Sequence, residues 1–163
     1  MKNLLLLRHA KSSHDHPGLS DHDRPLSKRG RRDAPRAGEL LVEKKLLPDW
    51  IVCSTAVRAC ETTELVTAEI KHVPPVDFRS ELYLAPPKAY VQALTELNDN
   101  VETVLVVGHN PGLEAWVEML GGDEVRFPTA ALAHFQLSID SWSELTAKTR
   151  GKLKLLWYPK EAD

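Results

Sequence analysis

Cysteine is scarce. Only Cys53 and Cys60 occur among 163 residues, seven apart. That spacing excludes a disulfide framework and a CxxC redox or zinc pair. The two read as small buried thiols, which suits a reducing compartment. An excess of charge of one sign is also missing. Lys and Arg number 21 against 23 Asp and Glu, for a net charge of −2. Nothing in that balance points to nucleic acid or an anionic membrane as partner. Long apolar runs are lacking too. The run near the start is four leucines, residues 4–7, followed at once by Arg8. A secretory signal needs an apolar core of roughly 7–15 residues, and a membrane span needs about 18. The expectation is a cytoplasmic protein. No internal repeat, low-complexity segment or linker breaks the chain, so one domain over residues 1–163 is expected.

What is present is an ordinary globular composition, 42% hydrophobic and 27% charged. A domain of this size buries roughly 70% of the surface its unfolded chain exposes, enough for a core without staples. Apolar runs alternate with longer amphipathic stretches, the pattern of an α/β protein. Residues 4–7, 50–53 and 104–107 read as strands buried on both faces. Residues 132–137 and 153–157 read as later strands. Residues 76–78 read as a short edge strand, because Pro74 and Pro75 limit its pairing.

Helices fall between these strands. Ala56, Cys60, Thr63, Val66 and Ile70 share one face, with Ser54 or Thr55 as the cap. A second helix is expected over 87–97, and a third starts at Asn110-Pro111. The first helical region, 27–46, contains Pro35, which costs about 3 kcal/mol inside a helix. A kink or a late start is expected there. Residues 14–23 (His-Asp-His-Pro-Gly-Leu-Ser-Asp-His-Asp) are polar and read as a long surface loop.

Chemistry concentrates where three strands end. The first runs into Arg8-His9. The second ends at Cys53-Ser54 and turns into a helix with Arg58 in its first turn. The third ends in Gly108-His109-Asn110-Pro111-Gly112. Ligands of an open parallel sheet bind outside the carboxyl ends of its strands. If these strands are parallel neighbours, two arginines and two histidines meet in one pocket. Arginine forks match phosphoryl oxygens. The unpaired N–H groups and dipole of a helix starting at Asn110 favour an anion and lower a nearby histidine pKa. A neutral imidazole can attack phosphorus, and a protonated second histidine can donate to a phosphoryl oxygen. Each piece alone is weak; their order, each after a buried strand, carries the reading.

The order Leu-Arg-His-Ala, then Ser-Thr-Ala-Val-Arg-Ala-Cys-Glu-Thr, then Gly-His-Asn-Pro-Gly resembles the histidine phosphatase superfamily. Arg8-His9-Ala10-Lys11-Ser12, Asp23-Arg24-Pro25-Leu26-Ser27 and Phe127-Pro128-Thr129 resemble segments of its small phosphohistidine phosphatases. The resemblance implies a phosphoglycerate-mutase-like, three-layer α/β/α sandwich with a mostly parallel central sheet. It implies His9 as the phosphorylated nucleophile, with Arg8, Arg58 and His109 completing a phosphate pocket. Arg24, Asn110 and Glu81 are candidate substrate contacts. The sequence departs from the superfamily at Ala10, where glycine is usual. It departs again at Leu84, which falls where many members carry a catalytic glutamate. Glu81 lies close by but out of register, which leaves the general acid open.

The implied activity is metal-independent and cofactor-free hydrolysis of phosphohistidine on a protein. The alternatives are a general phosphomonoesterase acting on small phosphorylated substrates, a non-catalytic phosphohistidine-binding module and a phosphoryl-transferring mutase. A metal-dependent hydrolase would use His14, Asp15, His16, Asp21, His22 and Asp23, although a hydrated loop is the better reading of that segment.

Overall fold

Leu4, Leu5, Leu6 and Leu7 are fully buried. In the computed structural model, which describes residues 1–160, they form the middle of strand β1 (Lys2–Arg8). Successive side chains of a strand point to opposite faces. Leu4 and Leu6 therefore enter one core and Leu5 and Leu7 the other. The same split runs through β2 (Trp50–Ser54) and β4 (Thr103–Gly108). Val52, Val104 and Val106 join the first core; Ile51, Cys53, Leu105 and Val107 join the second. Each such side chain is worth about 1.5–3 kcal/mol when buried, so the continuous apolar runs are what a sheet covered on both faces requires.

The sheet has six strands in the order β3-β2-β4-β1-β5-β6. β3 (Val76–Arg79) is an edge, parallel to β2. β2, β4 and β1 are parallel neighbours. β5 (Leu132–Leu137) runs antiparallel to β1, and β6 (Lys152–Trp157) antiparallel to β5. Helices α1 (Lys28–Glu43) and α2 (Val57–Thr67) supply Ala37, Leu41, Ala59 and Val66 to the second core. Helices α3 (Pro87–Thr95) and α4 (Gly112–Gly121) supply Tyr90, Leu94, Trp116 and Leu120 to the first. The result is the three-layer α/β/α arrangement. No helix among the described residues is long and apolar enough to cross a membrane.

Three helix starts differ from expectation. Helix α1 does not start late at Pro35 but runs through it. Ser27 caps it, its hydroxyl accepting from the Gly30 N–H at 3.1 Å. Burial of Leu40 and Leu41 offsets the hydrogen bond that Pro35 cannot make. Helix α2 is capped by neither Ser54 nor Thr55; Ala56 holds the cap position. The Ser54 hydroxyl instead accepts from the Ala56 N–H at 3.2 Å and turns toward His109. Helix α4 begins at Gly112, one residue later than an Asn110 cap with Pro111 in the first turn implies, with a cis peptide bond between those two residues.

Parallel register sets the site. Arg8 stands level with Gly108 and Cys53 with Val107. The carboxyl ends of β1, β2 and β4 therefore open onto the same space. Helix α1 seals its flank: a Cβ at Gly30 would collide with the Lys11 carbonyl, so only glycine lets the helix approach the segment after β1.

Candidate active site

His9 follows β1 directly, with its main-chain N–H donating to the Gly108 carbonyl at 3.0 Å. Its ring Nδ1 lies 2.7 Å from the Ala10 carbonyl. A carbonyl only accepts, so Nδ1 carries the proton and Nε2 holds the lone pair. Burial pushes the His9 pKa down to about 3, against the Ala10 bond, which raises it; His109, Arg58 and Arg8 lower it further. At neutral pH the ring is an uncharged imidazole, and its Nε2 has no hydrogen-bond partner among the described residues.

His109 follows β4, its ring centroid 5.0 Å from that of His9. Its Nε2 lies 2.8 Å from the Ser54 hydroxyl. Its Nδ1 is buried and has no partner among the described residues. Burial first, then the charge of Arg58, brings its pKa down to about 4. Expected help from the end of α4 is limited. Two N–H groups of its first turn are engaged, Leu113 with the His109 carbonyl at 2.9 Å and Glu114 with the Asn110 side-chain oxygen at 3.2 Å.

The arginines complete the pocket. Arg8 donates to the Phe127 carbonyl at 3.3 Å, and its buried Nε has no partner among the described residues. Arg58 is 4% exposed. It donates to the Asp21 carbonyl at 2.7 Å and to the Asp21 carboxylate at 3.0 Å. The same carboxylate accepts from Arg24 at 2.7 Å and from the Tyr83 hydroxyl. The Tyr83 hydroxyl foremost, then Arg58 and Arg24, hold the Asp21 carboxyl well below the usual carboxylate range, although burial opposes them. Arg24 also donates to the Ser13 carbonyl at 3.0 Å and to the Ser12 hydroxyl. Thr62 ties the nucleophile segment to α2: its hydroxyl accepts from the Ala10 N–H at 3.0 Å and donates to the Arg58 carbonyl at 2.7 Å.

These residues surround a hollow of about 250 Å³, to which Lys11, Ser12, His14, Leu84, Asn110 and Thr129 also contribute. Among the described residues no carboxylate lines it. Arg8, His9, Arg24, Arg58, His109 and Asn110 are therefore gathered in one place. Asn110 is braced there rather than free, its amide donating to the Phe127 carbonyl at 2.7 Å. Glu81 is not among them. It lies in a separate hollow with Arg79, Ala89 and Gln92. The chain turns away from it through Leu84, which sits at φ 51° in the phosphate-pocket wall. A larger hollow of about 690 Å³ lies near the amino ends of β2 and β4, between Asp49, Trp50, Arg79 and Glu96. It holds none of the histidines.

Local sequence does not signal Asp21 as the partner of Arg58, Tyr83 as the ring set edge-on 5.5 Å from that of His109, or Ser54 as the partner of His109. From sequence Asp21 reads only as a possible metal ligand and Ser54 only as a helix cap, and Tyr83 carries no local signal. Among the described residues no three His, Cys, Asp or Glu side chains gather to hold a metal. Asp21 is committed to arginines, and His22 lies 3.0 Å from the Thr55 hydroxyl.

Residues 4–83 match the model of the histidine phosphatase superfamily, branch 1. An uncharacterised protein of Mycobacterium tuberculosis (strain ATCC 25618 / H37Rv) is 34% identical over 150 residues, covering 85% of this chain and 91% of that one. A solved structure from Nakamurella multipartitia, a candidate phosphohistidine phosphatase SixA, is 30% identical. It covers 97% of this chain and 96% of that one with a TM-score of 0.84. The protein histidine phosphatase SixA complexed with tungstate is 26% identical, with coverage of 94% and 95% and a TM-score of 0.77.

Proposed function

The chain belongs to the histidine phosphatase superfamily, and from that membership we propose that it hydrolyses phosphohistidine on a protein through a phosphoenzyme at His9. The observation that carries the reading is the tautomer of His9. Its Nδ1–H is held by the Ala10 carbonyl, so the neutral Nε2 is presented beside Arg8 and Arg58. The substrate relatives support the class: one neighbour is a protein histidine phosphatase bound to tungstate, a phosphate-like oxyanion.

The chemistry has two steps. His9 Nε2 attacks phosphorus in line as the P–N bond to the substrate imidazole breaks. The electron pair leaves on that imidazole, which takes a proton from solvent. Arg8, Arg58 and His109 stabilise the equatorial oxygens, and the charge on phosphorus builds against preorganised donors. The buried Nδ1 of His109 lacks a partner that a phosphoryl oxygen supplies. Water then attacks phospho-His9, the second P–N bond breaks, and inorganic phosphate leaves with His9 neutral again.

The lining without a carboxylate favours phosphohistidine over alkyl esters. An alkoxide leaves poorly without an acid, which contributes about 10²–10⁴-fold. An imidazole with a solution pKa near ~6.5 needs none. The test compares kcat/KM on a phosphohistidine peptide, an aryl phosphate and an alkyl phosphate. The expected order is phosphohistidine, then aryl, then alkyl. Alkyl phosphate as the best substrate would make the protein a general phosphomonoesterase instead.

A further inference from the structure

We propose that a second hollow, beside the phosphoryl pocket, is a subsite for a carboxylate side chain of the protein substrate, an Asp or Glu near the phosphohistidine. The inference rests on the phosphohistidine reading above and names what else that substrate must carry.

The hollow is about 370 Å³ and is formed by Arg29, Arg126, Pro128, Thr129, Tyr158 and Pro159. Thr129 lines both hollows, so they share a wall. That wall is the Phe127-Pro128-Thr129 segment, to which the phosphoryl chemistry gives no role. It is tied down on both sides. The Phe127 carbonyl accepts from Arg8 at 3.3 Å and from Asn110 at 2.7 Å, and the Phe127 N–H donates to the Glu114 carboxylate at 2.9 Å. The Tyr158 hydroxyl donates to the Arg126 carbonyl. Arg126 thus leaves a backbone anchored to the residues that hold the phosphate site.

The charge that the described residues bring to the hollow is one-sided. Among the described residues neither Asp nor Glu lines it. Arg126 is exposed and makes no ion pair among the described residues. Arg29, in the first turn of α1, lies 3.5 Å from the buried carboxylate of Asp33, but Arg36 at 3.0 Å shares that carboxylate. One carboxylate does not neutralise them. This local cationic patch stands on a chain whose net charge is −2, so it is not a reflection of overall charge. Two guanidinium forks suit a planar carboxylate. The Tyr158 ring and the two prolines suit the methylenes that carry it, which a free inorganic anion lacks.

A partly exposed pair of this kind acts on binding more than on chemistry. The test measures KM and kcat on phosphohistidine peptides with a single Glu placed in turn at each neighbouring position, or Gln in its place. An aryl phosphate without a carboxylate serves as the control. For the wild type, the best-placed Glu peptide is expected to have a KM about two- to fivefold below its Gln counterpart, with kcat unchanged. Arg126→Gln removes the difference, Arg126→Glu reverses it, and both leave the aryl phosphate rate unchanged. Arg126 is an exposed loop residue, so these variants fold; Arg29→Gln is the second probe. Equal KM for all Glu and Gln peptides in the wild type overturns the subsite. A difference that survives both Arg126→Gln and Arg29→Gln overturns its location. Aryl phosphate turnover with no peptide turnover overturns the phosphohistidine reading beneath it.

Discussion

Asp21 grips Arg58 twice, through its main-chain carbonyl at 2.7 Å and its carboxylate at 3.0 Å. The guanidinium in the first turn of α2 is therefore oriented by a residue 37 positions earlier in the chain. A buried arginine held this way has little freedom to lose when an anion arrives, which is what makes a donor preorganised. Asp21 in turn rests on Arg24 and Tyr83, so the 14–26 segment and the phosphate pocket are one hydrogen-bonded unit.

Arg58→Ala is expected to lower kcat/KM by about 10²–10³, the usual cost of removing a preorganised donor. Arg58→Lys recovers only part, because an ammonium lacks the fork. Asp21 keeps Arg24 and Tyr83 as partners in both variants, so thermal unfolding shows a folded protein. Near-normal steady-state rates for Arg58→Ala would remove it from the pocket chemistry.

His9→Ala is expected to abolish both turnover and labelling by a phosphoryl donor. His109→Ala keeps measurable labelling on His9, since His109 stabilises charge and forms no bond to phosphorus. Rapid quench and peptide mapping of the labelled residue check this. Label on His109 in the wild type would exchange the two roles.

Both histidines should titrate far below the ordinary value near ~6.5, at about 3 for His9 and about 4 for His109. NMR of the ring nitrogens should show neutral rings at pH 5, with the proton of His9 on Nδ1. Stability follows from the same depression. The unfolded chain binds these protons near pH 6.5, while the folded chain does not. The neutral-ring contribution is therefore complete above that pH and is lost as pH falls toward the folded values. The loss approaches roughly 1.4 kcal/mol per pH unit for each group. The melting temperature should fall from pH 7 to pH 5, and less steeply in His9→Asn. Ring midpoints between pH 6 and 7 would contradict the buried, neutral site.

Glu81→Gln is expected to leave all three substrate classes within about twofold of wild type, because Glu81 lies in a hollow apart from His9. Fast alkyl phosphate hydrolysis that collapses in this variant, while phosphohistidine turnover survives, would identify Glu81 as a general acid.

Exhaustive EDTA treatment is expected to leave activity intact, because Arg8 and Arg58 already supply positive charge to the phosphoryl group. Loss on chelation with recovery on adding a divalent ion would move attention to residues 14–23.

The amino-acid sequence by itself determined the layered α/β arrangement and the placement of Arg8, His9, Arg58 and His109 at or just after strand ends. Those features are local. An apolar run such as residues 4–7 requires cover on both faces wherever it sits, and the residues that follow a buried strand must emerge at its end. Tertiary structure alone decided the rest. It carried α1 through Pro35, because packing of Leu40 and Leu41 outweighs one missing hydrogen bond. It turned Ser54 from a helix cap into the partner of His109, and it left Glu81 outside the pocket while Leu84 entered it. It also seated Asp21 on Arg58 and Tyr83, across 37 and 62 residues of chain. No periodicity or spacing encodes such a pairing. A side chain's partner across that separation is set by where the sheet and its helices place both backbones, and that is decided only when the whole core packs.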